Sequence, residues 1–266
     1  MLLCVGLTAL ALGINAAFGA ELQRYGYTVL ERLPQPRENF VQGLQIVGDR
    51  LYVGTGQYGE SRLREYTFPA MTLNREVMLD PQLFGEGVTR LADRIYQLTW
   101  RAGQLLEYDA ASLDLVKTHR ISTQGWGITH NEAQLIYSDG SHRLYFLDPE
   151  NMRVLRTLEV TLGGRPLPRL NELEWIENEV WANVWQSNQL VRIDPGTGHV
   201  LGIVDLRGLL DPADRAADTD VLNGIAWDAK TRALWVTGKR WPWLYKIRLV
   251  AMPTALPGTQ PAPESP

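Results

Sequence analysis

The 266-residue chain contains one cysteine, Cys4. An internal disulfide framework and a cysteine-based zinc site are therefore excluded. Its four histidines (119, 130, 142 and 199) are scattered, with no paired metal-ligand spacing. Charge of either sign is scarce: 26 Lys+Arg stand against 30 Asp+Glu, for a net charge of −4 and no long basic run. A nucleic-acid binder would carry a basic patch or stripe, so no nucleic-acid partner is expected. The first 20 residues have no charged side chain at all. Their short apolar run and the small-residue boundary at Ala17-Phe18-Gly19 read as a secretory signal peptide. The run is short for a membrane span of about 20 residues, so no stable membrane anchor is expected. Export, to periplasm or medium, is the expected localisation. At the far end, residues 251–266 hold five prolines without periodicity and read as a disordered tail.

Aromatic residues, by contrast, are plentiful: nine Trp and ten Tyr. They lie within an internal repeat over residues 21–250. The triplet Gln42-Gly43-Leu44 recurs as Glu86-Gly87-Val88, Trp126-Gly127-Ile128, Asn171-Glu172-Leu173 and Asn223-Gly224-Ile225, at intervals of 44, 40, 45 and 52 residues. Each triplet leads to a second strand (51–56, 95–100, 135–140, 180–185, 234–239) and then a third. A fourth follows in every unit but the last. Short alternating strands separated by Asp-Pro and Gly turns argue antiparallel sheet, and four strands per 40–45 residues is the blade period of a propeller. The expected fold is all-β: a single five-bladed β-propeller whose last blade is closed by the spare N-terminal strand 27–33. Closure removes an edge that would otherwise pair with other chains.

Equivalent repeat positions converge on one axis. The residues opening the first strands are Gln42, Glu86, Trp126, Asn171 and Asn223, and those closing the second strands are Gly56, Trp100, Gly140, Trp185 and Lys239. The backbone template repeats while these side chains do not, which favours a site over a purely structural ring. An acid inside an aromatic wall is desolvated, and its pKa rises toward values useful for proton transfer near neutrality. Trp181 and Trp235, within second strands, are expected to pack the blades.

The sequence resembles the plant and bacterial type of glutaminyl-peptide cyclotransferase (glutamine cyclotransferase). The resemblance rests on Phe40-Val41-Gln42-Gly43-Leu44, Thr55-Gly56-Gln57-Tyr58-Gly59, Asn171-Glu172-Leu173-Glu174-Trp175, Trp181-Ala182-Asn183-Val184-Trp185, Leu222-Asn223-Gly224-Ile225-Ala226-Trp227, Val236-Thr237-Gly238-Lys239 and Trp241-Pro242. It implies a five-bladed propeller that converts N-terminal glutamine of peptides or proteins to pyroglutamate with release of ammonia. It maps the acid/base onto Glu86, with Lys239, Asn171 and Gln42 as further catalytic groups. The substrate-binding wall is Phe40, Phe84, Trp100, Trp126, Trp185 and, from the repeat alignment, Asn223. Arg240-Trp241-Pro242-Trp243 departs from the family pattern at Arg240 and Trp243, at the pocket rim. No cofactor and no metal are expected, and a monomer is expected. Two classes compete: a non-enzymatic propeller that binds a peptide or sugar, and a calcium-dependent propeller lactonase or hydrolase.

Overall fold

The computed structural model describes residues 22–253. The proposed signal peptide and most of the proline-rich tail lie outside the described residues. Among those described, no helix is long and apolar enough to cross a membrane.

The chain is all-β and propeller-like. After β1 (Gln23–Pro34) come β2 (Val41–Val47), β3 (Arg50–Thr55), β4 (Arg62–Thr67) and β5 (Thr72–Met78), which form one four-stranded antiparallel sheet. β6 (Gly85–Leu91), β7 (Arg94–Thr99), β8 (Gln104–Asp109) and β9 (Leu115–Arg120) form the next. β10 (Ile128–His130), β11 (Leu135–Ser138), β12 (Arg143–Leu147) and β13 (Val154–Glu159) form a third. A small hairpin of β14 (Thr161–Leu162) and β15 (Arg165–Pro166), unforeseen in the repeat pattern, precedes β16 (Leu170–Ile176), β17 (Glu179–Val184), β18 (Gln189–Ile193) and β19 (Val200–Asp205). A 3-10 turn at Pro212–Asp214 then leads to β20 (Leu222–Asp228), β21 (Ala233–Gly238) and β22 (Trp243–Ala251).

The spare N-terminal strand pairs antiparallel with β22, from Tyr25 opposite Ala251 to Pro34 opposite Trp243. Its first residues also run parallel to β19, with Gln23, Arg24 and Tyr25 opposite Gly202, Ile203 and Val204. The second pairing was not anticipated. It joins two sheets into one of eight strands.

Burial follows strand rank. The first strands are almost wholly buried, whereas β5 and β9 are mostly exposed. Apolar clusters sit between successive sheets: Tyr52 and Leu63 meet Val88 and Leu106, and Val41 and Tyr66 meet Trp235 and Leu244. Trp181 and Trp235 are buried in such clusters, as expected. Stacking of this kind leaves the first strands packed against one another in cyclic order, β20 touching β2.

The triplet centre marks the closest approach. A Cβ on Gly43 would lie 2.2 Å from the Val88 nitrogen, and one on Gly127 would lie 2.0 Å from the Asn171 oxygen. Glu172 is the unlike member of this set. Its Oε1 accepts from the Leu44 N–H at 3.2 Å and its Oε2 from the Ile225 N–H at 2.8 Å. The carboxylate thus ties β16 to both β2 and β20.

Candidate active site

The chain enters each first strand at one end of the molecule and returns through the second strand to the same end. That places Phe40 and Gln42 at the start of β2, Phe84 and Glu86 at the start of β6, Trp126 just before β10 and Asn171 on β16. Trp100, Trp185 and Lys239 stand just after β7, β17 and β21. All nine line one cavity of about 330 Å³.

The wall is aromatic. Phe84 packs edge-on to Phe40 at 6.3 Å and to Trp100 at 5.4 Å, and Trp126 packs edge-on to Trp185 at 5.4 Å. Glycine at the other two ring positions makes room for these rings. A Cβ on Gly56 would lie 2.4 Å from Phe84, and one on Gly140 would lie 2.6 Å from Trp126. The glycines that close two second strands are therefore the seats of the aromatic rings that precede β6 and β10.

Glu86 is 4 % exposed. Burial holds its carboxyl well above the usual carboxylate range, with the Lys239 charge opposing the rise. Lys239 is pushed below the ordinary lysine range by the same loss of water, opposed by Glu86 and Asp220. Its Nζ rests 4.9 Å from the Phe40 ring centroid. The Gln42 amide donates to Glu86 Oε1 at 3.2 Å. Two buried polar atoms of the wall, the Trp126 indole N–H and Asn171 Oδ1, have no partner. Neither atom presents more than a trace of accessible surface.

Asn223 is the exception among the sequence-predicted site residues. It is fully buried and does not line the cavity. Its Nδ2 donates to the Val41 carbonyl at 3.0 Å and to Gln42 Oε1 at 3.4 Å. The structure corrects its role from substrate contact to support. Asn223 fixes the Gln42 amide so that its NH₂ faces Glu86. Gln42 in turn is held by Asn223 and Glu86 together.

The sequence reading did not single out Gln186, Asp220 and Val221, which complete the lining. Asp220 and Val221 arrive on the long segment between β19 and β20. The one repeat interval of 52 residues is the signal that could have found them. It also passed over Glu172 and Glu174, buried on β16 deeper in the channel. Glu174 Oε1 accepts from the Trp227 N–H at 2.9 Å. Burial raises the Glu174 carboxyl to about 8 and that of Glu172 well above the usual range. No group of three or more His, Cys, Asp or Glu among the described residues is placed to hold a metal ion.

A model of the glutamine cyclotransferase family matches residues 1–249. A curated glutaminyl-peptide cyclotransferase of Arabidopsis thaliana is 41% identical over 227 residues, spanning 83% of this chain and 70% of the relative. The crystal structure of Myxococcus xanthus glutaminyl cyclase superposes with a TM-score of 0.81 at 30% identity, covering 88% of this chain and 100% of that one. A buried acid in an aromatic cavity, built on a fold shared with these relatives, accords with that match along the whole length, and the chain belongs to the glutamine cyclotransferase family.

Proposed function

We propose that this protein cyclises the N-terminal glutamine of peptides to pyroglutamate, releasing ammonia, with Glu86 as the general acid/base. The observation that carries the reading is the desolvated Glu86 carboxyl, with Lys239 near it, in a cavity walled by Phe40, Phe84, Trp100, Trp126 and Trp185.

The reaction is intramolecular. The α-amine attacks the γ-carboxamide carbon, a C–N bond forms, and the carbonyl oxygen takes the electron pair. Glu86 accepts the proton that the attacking nitrogen sheds and delivers one to the departing nitrogen, which leaves as ammonia. The α-amine, with an ordinary pKa of about 7.7–8.0, is partly neutral at physiological pH. Selecting the curled conformer and excluding water supplies several kcal/mol of the barrier, and a narrow indole-lined cavity does both. Lys239 and the indole N–H groups of Trp100 and Trp185 are candidates to meet the developing oxyanion, because the Gln42 amide already serves Glu86 and Asn223. Lys239 also sets the field across Glu86.

In the same reading the fold is a five-bladed propeller. The four-stranded sheets make its blades, and β1 supplies the outer strand of the last. The cyclic contacts of the first strands and the pairing of β1 with β22 support this. The uncharged apolar leader supports export of the protein.

The test is ammonia release from a short synthetic peptide with N-terminal glutamine, in excess chelator, by the parent and by Glu86→Gln. Release by the parent alone is expected. No release by either folded protein would overturn the reading in favour of a binding propeller.

A further inference from the structure

A second, polar cleft of about 270 Å³ adjoins the active-site cavity. It lies between the turn that follows β17 and the segment leading into β20. Gln186, Asp220 and Val221 line both spaces, so the two share a wall. Asn188 and Arg215 line the outer part. Neither side chain makes a hydrogen bond or ion pair among the described residues; their backbones are engaged, the Asn188 carbonyl by the Leu206 N–H and the Arg215 N–H by the Pro212 carbonyl. The neighbouring acids of the loop are otherwise occupied. Asp211 accepts from the Ala213 N–H, Asp214 from the Trp243 indole at 2.8 Å, and Asp218 from Arg240 at 3.3 Å.

We infer that this cleft receives the residues that follow the N-terminal glutamine, and that Arg215 selects an acidic side chain among them. The inference rests on the cyclase reading. A peptide whose first side chain fills the cavity must carry its main chain out through a gap in the wall, and the shared wall marks that gap. Asp220, at the junction, accepts the Val221 N–H through Oδ1 at 2.6 Å, and its Oδ2 is left for a backbone N–H that crosses it. An extended chain advances about 3.3–3.6 Å per residue, which brings the second or third side chain into the cleft. Arg215 is the only cation lining it. A guanidinium with no protein partner recognises a carboxylate better than any neutral group.

The experiment compares kcat/KM at low salt for tetrapeptide amides with glutamate or lysine at position two or three, in the parent and in Arg215→Glu. Glutamine amide, which has no downstream residue, is the reference substrate. At an exposed site the parent should favour one acidic peptide over its lysine counterpart by about two- to fivefold, and Arg215→Glu should reverse the ratio. Asn188→Trp, which narrows the cleft, should lower kcat/KM for the tetrapeptides relative to glutamine amide. Equal ratios in parent and Arg215→Glu would overturn the subsite. Failure of the parent on glutamine amide and on every peptide would overturn the cyclase reading itself.

Discussion

Replacing Glu86 by glutamine should move activity and stability in opposite directions. The substitution keeps shape and leaves an oxygen to accept from Gln42, which donates at 3.2 Å in the parent. It removes the transferable proton. General acid/base catalysis contributes about 10²–10⁴-fold, so kcat should fall by about that factor. The folded protein holds the Glu86 carboxyl well above its unfolded value because burial penalises the charge. A raised acid contributes stability that is complete below the unfolded pKa and is lost as pH rises toward the folded one. Near neutrality the parent therefore carries a cost of about 1.4 kcal/mol for each pH unit between the two values. Glutamine does not titrate, so the variant escapes that cost. For a domain of this size each such increment moves Tm by about 3–5 °C. The assays are ammonia release at saturating peptide and thermal unfolding at pH 5 and pH 8. The variant should melt no lower than the parent at pH 5 and clearly higher at pH 8. A kcat within tenfold of the parent would refute the assigned role, and a variant that melts well below the parent at pH 8 would refute the desolvation argument.

Two further outcomes follow from the geometry. Glu174, buried and raised to about 8, should make the fold lose stability as pH rises from the ordinary carboxylate range to about 8; Glu174→Gln should remove up to about 5 kcal/mol of that loss, and parallel stability–pH curves for the two proteins would contradict it. Gly127→Ala forces a Cβ to 2.0 Å from the Asn171 oxygen; a loss of at least about 3 kcal/mol, seen as a Tm lowered by about 6–12 °C, is expected together with loss of activity. Wild-type stability in that variant would mean that the first strands do not pack as described.

The repeat was legible because its marks are steric. Triplet glycines recur where neighbouring strands come closest, and that demand acts on each unit separately. The site was legible for a related reason: unlike side chains on a like backbone stand out. Asn171 and Asn223 occupy equivalent positions and read alike, yet one faces the cavity and the other braces Gln42. Only the neighbours across the channel distinguish them. Glu172 was hidden likewise, since its partners are backbone N–H groups on β20 and β2, more than 50 and 120 residues away respectively. The contribution of Asp220 depends on a long segment without repeat pattern, which local spacing does not place. The pairing of β1 with β19 also escaped, because it is a parallel contact of three residues with no turn to announce it.

That seam at β1 bears on how the chain is made. Among the described residues, the first strand pairs with the last, with Tyr25 opposite Ala251 and Pro34 opposite Trp243. Until β22 has emerged, β1 has no antiparallel partner, and its edge stays unpaired on that side while most of the other sheets are already complete. Contacts of such sequence separation are slow to form, and an open strand edge is what draws chains into aggregates. Any truncation or fusion that delays or displaces residues 23–34 should thus tell first on yield of folded protein, before it touches the chemistry at the far end of the channel.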